Sequence, residues 1–244
     1  MSKSIQGKVA IVTGANRGIG KSIVETFIRH GARKVYLAVR NPESTSELEA
    51  KYGEKVVTIQ ADVTDIESIK RMAATAQDVD IVVNNAGILL ASTMLEEDTL
   101  DKLEKELDVN VYGLLRVAHA FADILEKNKG ILVQLNSLAS FKNFTGLSTY
   151  CVTKAASYSV TQGLKNEFEE KGIQVLSVHP GPIDTDMIKA YEWEGAPPAS
   201  VVSDSIVECL DAGEFHSFPD EMAKQFQEAY QGFAKNIVEA NLTE

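Results

Sequence analysis

Seven short runs of apolar, largely β-branched residues, spaced by stretches long enough for a helix, constrain this chain more than any other feature. They are KVAIVTG (8–14), KVYLAVR (34–40), KVVTIQADV (55–63), VDIVVNNAG (79–87), GILVQLNS (130–137), IQVLSVHPG (173–181) and GEFHSF (213–218). Most are continuously hydrophobic rather than strictly alternating, as in strands covered on both faces. Between them, apolar residues recur at helical spacing. Ile19, Ile23 and Phe27 follow the first run, and Leu100, Leu103 and Leu107 precede Asn110. Met222, Phe226, Tyr230, Phe233 and Ile237 form one stripe along 220–240. Gly232 weakens that last helix by about 1 kcal/mol relative to Ala. Strands alternating with helices predict an α/β fold, a Rossmann-like doubly wound parallel sheet of about seven strands with helices on both faces.

A chain of 244 residues fits one domain, 1–244. Its formal charge of −11 argues against nucleic acid and against an anionic membrane as partners, since both require clustered Lys and Arg. No run approaches the roughly 20 apolar residues of a membrane span. The opening MSKSIQGKVAIVTG lacks the apolar core of a signal peptide. Two cysteines, Cys151 and Cys209, are too few for a disulfide framework or a zinc site, and the four His are scattered. A cytoplasmic location is expected. Gly195, Pro197 and Pro198 mark 184–203 as the irregular segment, expected to border the substrate.

The first run leads directly into TGANRGIG (13–20) and then a helical pattern. Glycines at 14, 18 and 20 allow a sharp turn and a close approach to a pyrophosphate, with helix N–H groups behind it. The spacing is G-x-x-x-G-x-G rather than the usual G-x-G-x-x-G. In such a unit a carboxylate after the second strand binds the ribose 2′-OH of NAD, and an Arg suits the 2′-phosphate of NADP. Here that strand ends in Val39 and Arg40 with no acid, and Arg17 adds a second positive charge in the loop. NADP(H) is therefore expected over NAD(H).

Tyr150 and Lys154 stand four residues apart, with no acidic residue within ten positions on either side. On a helix the two share a face. Taken alone the pair reads as a half-exposed Tyr stacked on an aliphatic Lys stem. Beside a nucleotide site it has another meaning, because an ammonium lowers the pKa of a nearby phenol, ordinarily near 10, toward the range useful for proton transfer.

In this order the motifs resemble those of the short-chain dehydrogenases/reductases over roughly 6–186. TGANRGIG, including Asn16 and Ile19, is similar to the family's cofactor loop, and ADV (61–63) to the strand end whose Asp meets the adenine, here Asp62 with Val63. NNAG (84–87) resembles the segment beneath the cofactor, placing Asn85, Ala86 and Gly87 beside it. LDVNVYG (107–113) resembles the helix bearing the catalytic Asn, here Asn110. Ser137 precedes Tyr150 by 13 residues, as the family's Ser does. HPGPIDT (179–185) resembles the segment beside the nicotinamide, with Pro180, Gly181, Ile183 and Thr185 at its contacts. The cofactor side then covers about 6–140 and the catalytic and substrate side about 137–244. The chain departs from the family after 213, where many members end in T-G-x-x-x-x-V-D-G-G.

The resemblance implies an NADPH-dependent carbonyl reductase, reducing a ketone or aldehyde reversibly. Tyr150 is its acid and base, Lys154 acts on Tyr150 and hydrogen-bonds the nicotinamide ribose, Ser137 holds the substrate oxygen, and Asn110 fixes a water. For Ser137 and Asn110 the alternatives are a turn cap and a helix-bend residue bonded to backbone. No metal or covalent nucleophile is required, and Cys151 reads as a small packing residue. Phe144, Leu147, Met187, Tyr191 and Trp193 lie on segments expected to border a fairly apolar substrate. The helices beginning near Asn110 and Tyr150 imply a homodimer or homotetramer. The alternative of another class is a catalytically inactive nucleotide-binding regulatory or scaffold protein of the same fold.

Overall fold

The computed structural model describes residues 3–189, 191 and 193–239. The chain runs β1 (Val9–Thr13), α1 (Gly18–Arg29), β2 (Lys34–Val39), α2 (Ser46–Tyr52), β3 (Val56–Gln60), α3 (Ile66–Thr75), β4 (Ile81–Asn84) and α4 (Thr99–Leu107). A π-turn, Asp108–Tyr112, joins α4 to α5 (Gly113–Asn128), followed by β5 (Ile131–Leu135), α6 (Ser148–Glu170), β6 (Gln174–Val178) and α7 (Asp186–Lys189). The remaining elements are α8 (Ser200–Ala212), β7 (His216–Ser217) and α9 (Glu221–Phe233). All seven strands pair in parallel, in the order β3-β2-β1-β4-β5-β6-β7.

The continuous apolar runs are explained by two cores, one on each face. In β1, Ala10 and Val12 join Ile23, Phe27, Leu37, Val83, Leu176 and Ile206 on the side covered by α1 and α8. Val9 and Ile11 alternate onto the other side, with Ile69, Met72, Val117, Phe121, Leu132 and Phe168 of α3, α5, β5 and α6. A strand buried on both faces needs no polar alternation. The helices α1 and α8 are further tied by Ser203, whose Oγ lies 2.9 Å from both Ser22 Oγ and Thr26 Oγ1. Among the described residues no helix is long and apolar enough to cross a membrane.

β1 sits between β2 and β4, so the winding reverses there and opens a crevice at the C-terminal strand ends, where α/β sheets bind ligands. The seven strands fall where the apolar runs lie, but each is shorter than its run. Asp62 and Val63, Asn85 to Gly87, Ser137, and Pro180 with Gly181 lie beyond their strands and line the crevice.

Two helical expectations are corrected. The segment 184–203 is not irregular throughout: it carries α7, a parallel bridge between Asp184 and Pro198, and the start of α8 at Ser200. The C-terminal α-helix ends at Phe233 and continues as a π-turn over Ala234–Val238. Met222, Phe226 and Tyr230 pack inward, while Phe233 and Ile237 are exposed; residue 240 lies outside the described residues. In α4 the leucine stripe is only partly buried: Leu103 and Leu107 are half-buried and Leu100 is 78% exposed, whereas Thr99 and Glu106 are buried.

Candidate active site

The glycine loop is built by backbone demands. Gly14 (φ +67°) and Gly18 (φ +52°) occupy the left-handed region, which costs a side-chain-bearing residue steric strain. A Cβ on Gly20 would lie 2.2 Å from Gly14 O and 2.7 Å from Asn85 Nδ2, so only glycine lets α1 start this close to the loop. Thr13 Oγ1 accepts from the N–H groups of Asn85 and Ala86, each at 3.0 Å, and Asn85 Nδ2 donates to Thr13 O at 2.9 Å. These bonds lock the ends of β1 and β4 together beneath the crevice. No side chain caps α1 and no acid occupies its first turn, so its positive end faces the cleft unopposed.

Arg40, Asn41 and Ser44 line the far end of the cleft, with Asp62 and Val63 beside them. Burial alone would raise Asp62. Hydrogen bonds from Thr64 N (2.9 Å) and Thr64 Oγ1 (2.8 Å), with the fields of Arg40 and Arg116, instead hold it below the ordinary Asp range. Arg17 reaches across the mouth, its Nη1 3.6 Å from Asp186 Oδ2 of α7.

Ser137, Tyr150 and Lys154 line the same cleft as the glycine loop. Ser137 follows β5 and caps the next turn, its Oγ accepting from Ala139 N at 3.1 Å. That is the turn-cap geometry, with Oγ also donating to Pro180 O at 3.4 Å, yet the hydroxyl acts on the Tyr150 phenol to lower its pKa. Burial outweighs this and pushes the phenol well above its ordinary value. Lys154 is 6% exposed; its Nζ donates to Leu135 O at 2.8 Å and stands 5.5 Å from the Tyr150 ring centroid. Burial brings Lys154 down to about 8. The expectation that the pair has no carboxylate nearby fails in three dimensions, because Glu106 of α4 acts on both residues through space.

Asn110 lies in the π-turn, buried behind the cleft rather than lining it. Its Nδ2 donates to Ile88 O (2.9 Å) and Thr153 Oγ1 (3.0 Å), and its Oδ1 accepts from Ile88 N (2.9 Å). The side chain is thus committed to protein partners, the alternative weighed for it above. Cys151 is buried and its thiol raised by burial, as expected of a packing residue.

On the substrate side, Phe144, Leu147, Met187, Tyr191 and Trp193 all line the cleft, whose volume is about 840 Å³, within the range of about 300–1,000 Å³ usual for small-molecule sites. Three contributors escaped the sequence reading. Met222 of α9 joins this wall, and Phe226 and Tyr230 pack behind it against Phe141 and Phe144. Asp220 caps α9 through Ala223 N (3.0 Å) and accepts from Gly181 N (2.7 Å), pinning the C-terminal helix to the Pro180–Gly181 segment. His179 is fully buried and held neutral by burial, its Nδ1 3.3 Å from Ser137 O and its Nε2 2.8 Å from Ser177 Oγ. Asp220 had a readable signal, a cap-forming Asp just before a helical stripe; His179 had none beyond its place next to Pro180.

Residues 8–194 match the family model described as short chain dehydrogenase. An uncharacterized oxidoreductase of Staphylococcus aureus is 36% identical over 190 residues, covering 75% of this chain and 81% of that protein. One of Staphylococcus saprophyticus is 33% identical over 198 residues, covering 78% and 84%. Among solved structures, a short chain dehydrogenase from Burkholderia cenocepacia in complex with NADP superposes with TM-score 0.87 at 30% identity, over 99% of this chain and 100% of that one. A Burkholderia phymatum enzyme in complex with NAD shares the fold, with TM-score 0.83 at 20% identity over 99% of this chain and 98% of that one. With its parallel sheet, its crevice at the strand ends and its matched length taken together, this chain belongs to the short-chain dehydrogenase/reductase family of oxidoreductases.

Proposed function

We propose that the protein is an NADP(H)-dependent carbonyl reductase that converts a ketone or aldehyde reversibly to an alcohol. The observation that carries this reading is that Ser137, Tyr150 and Lys154 share one cleft with the glycine loop. A nicotinamide dinucleotide fits the donor set. The loop backbone and the start of α1 would hold its pyrophosphate, and Asp62 and Val63 would meet its adenine. Asn85 to Gly87 would lie beneath it, and Pro180, Gly181, Ile183 and Thr185 would border its nicotinamide. Arg40, at a strand end with no acid, favours a 2′-phosphate over a free 2′-OH. The NADP carried by the Burkholderia cenocepacia relative supports the same choice.

When bound, the coenzyme supplies hydride to the carbonyl carbon. Ser137 Oγ hydrogen-bonds the substrate oxygen and holds it against Tyr150. The Tyr150 hydroxyl gives its proton to the developing alkoxide, and in the reverse direction takes it back. Because burial raises that phenol, proton exchange near neutrality depends on the positive field of Lys154, which also hydrogen-bonds the nicotinamide ribose. Asn110 acts from behind, as a positioning residue that fixes Ile88 and Thr153. The aromatic and aliphatic wall selects a fairly apolar carbonyl compound.

The same reading expects a second copy to pack on the helices beginning near Asn110 and Tyr150, and the exposure of Tyr112 and Val152 supports it. The deciding experiment is NADPH and NADH consumption over a panel of ketones and aldehydes, with Tyr150→Phe as control. Oxidation of NADPH that the control abolishes is the expected result. Coenzyme binding without turnover on any carbonyl overturns the reductase and leaves a nucleotide-binding regulatory protein.

A further inference from the structure

Glu106 is the most unexpected side chain in the molecule. It is fully buried on α4, although Leu100 of the same helix is exposed. Its Oε1 accepts from Leu90 N at 2.6 Å, and its Oε2 has no hydrogen-bond partner. Directly before Tyr150, fully buried Thr149 also keeps an unpartnered hydroxyl, close enough to Glu106 to favour its anion. A carboxylate is almost never fully buried without a paired charge. Among the described residues no Lys or Arg lies within salt-bridge distance of Glu106, and Lys102 of its own helix is taken by Glu96 and Asp98. Two cations act on it through space, Lys102 and then Lys154, and of the two Lys154 is the buried one, with Leu135 O as its hydrogen-bond partner.

We infer that Glu106 is a positioning residue of the active site, the hidden counter-charge that keeps the Lys154 ammonium protonated beside Tyr150. Two buried groups of opposite sign, held apart across the α4–α6 interface, each favour the other's charged form. Burial drives both toward neutrality, raising Glu106 and lowering Lys154 to about 8, and each opposes that drift in the other. The remaining titratable neighbours are few. Tyr150, Cys151 and Tyr191 face Glu106, and His179, held neutral, faces Lys154. Lys102, at the surface of α4, also faces Glu106 with positive charge; of the others none supplies positive charge to Glu106, and none supplies negative charge to Lys154 near neutral pH. The substrate cannot reach Glu106, which does not line the cleft.

The inference rests on the proposed roles of Tyr150 and Lys154, and its test separates the two. Glu106→Gln preserves an oxygen for Leu90 N while removing the charge. A structural anchor alone is then unaffected, whereas a counter-charge is lost. The direct readout is the titration of 13Cε-labelled lysine, with the Lys154 resonance assigned by its absence in Lys154→Met. Loss of a nearby opposite charge is expected to lower the Lys154 titration by about one unit, a tenfold loss of proton affinity. If turnover follows that ammonium, kcat of Glu106→Gln equals that of the unmodified enzyme at low pH. It falls about twofold behind at pH 7 and about fivefold at pH 8 for a one-unit shift from about 8. Glu106→Asp restores most of the difference. An unmoved Lys154 titration overturns the inference, whatever the enzyme's activity; retained turnover in Tyr150→Phe overturns the reductase reading instead. If Glu106→Gln does not fold, the unmodified protein decides. The Glu106 13Cδ signal must titrate above the usual Glu value near 4.3 and leave a coupled step in the Lys154 curve, and absence of that step refutes the pairing.

Discussion

Replacing Asp220 with alanine tests whether the C-terminal helix is part of the active site or only attached to it. The carboxylate is 5% exposed and satisfies two backbone donors, Gly181 N at 2.7 Å and Ala223 N at 3.0 Å. Losing the cap of α9 costs about 1 kcal/mol. The Gly181 N–H, left without its partner, costs a further 1–3 kcal/mol or so. The sum is about 2–4 kcal/mol, and at roughly 2–4 °C per kcal/mol for a chain of this size the melting temperature falls by roughly 5–15 °C. Asp220→Asn remains a good cap and loses chiefly the Gly181 bond, so it melts between the two. Because Met222 stands two residues beyond the clamp and lines the cleft, KM for the carbonyl substrate rises in both variants. Scanning calorimetry with steady-state kinetics measures both effects. An Asp220→Ala protein melting within about 2 °C of the unmodified one refutes the energetic argument. A large melting shift with unchanged KM refutes the claim that α9 shapes the pocket.

Two further perturbations address the cofactor side. Arg40→Ala removes a charge-assisted hydrogen bond worth about 1.5–3 kcal/mol to a phosphate, so KM for NADPH rises about ten- to a hundredfold while that for NADH stays unchanged; an equal loss for both coenzymes refutes the 2′-phosphate role. Gly20→Ala forces a methyl to 2.2 Å from Gly14 O and 2.7 Å from Asn85 Nδ2, neither free to retreat. Overpacking of this kind costs about 1–3 kcal/mol, and coenzyme binding measured by calorimetry is expected to be lost with it; undiminished binding counts against the loop as its seat.

The doubly wound parallel sheet of about seven strands was readable because it follows from local rules. Continuous apolar runs mean strands covered twice, and helical crossovers of fixed hand leave few arrangements of seven such strands. The glycine loop was readable for the same reason. Gly14 and Gly18 need left-handed backbone and Gly20 needs an absent Cβ, conditions that the residue type itself announces. The leucine repeat of α4 located the helix but not its most buried residues, because periodicity reports amphipathicity without saying where along the stripe the core is met. Leu100 stands in solvent while Glu106, one turn after half-buried Leu103, is buried. A charged residue buried against its local pattern is where sequence rules fail for a functional reason.

What remained hidden was the electrostatic setting of the Tyr150–Lys154 pair. Spacing of four residues correctly places the ammonium by the ring, at 5.5 Å from its centroid. It does not say where that ammonium points or what else faces it. Lys154 is turned toward Leu135 O, 19 positions earlier, and opposed by a carboxylate from a helix that precedes the motif by more than 40 residues. Absence of acids near the pair along the chain therefore says nothing about acids near it in space. The inference from an isolated Lys to an acidified Tyr thus needs one more step. Lys154 stands at about 8 even with Glu106 opposing its desolvation; burial alone would take its proton at a lower pH and deprive the phenol of a neighbouring positive field. A buried acid across the α4–α6 interface removes that weakness, at the cost of placing negative charge near Tyr150 as well. The net benefit requires Glu106 to act more strongly on Lys154 than on Tyr150, a ranking that the paired titrations of the two residues measure directly.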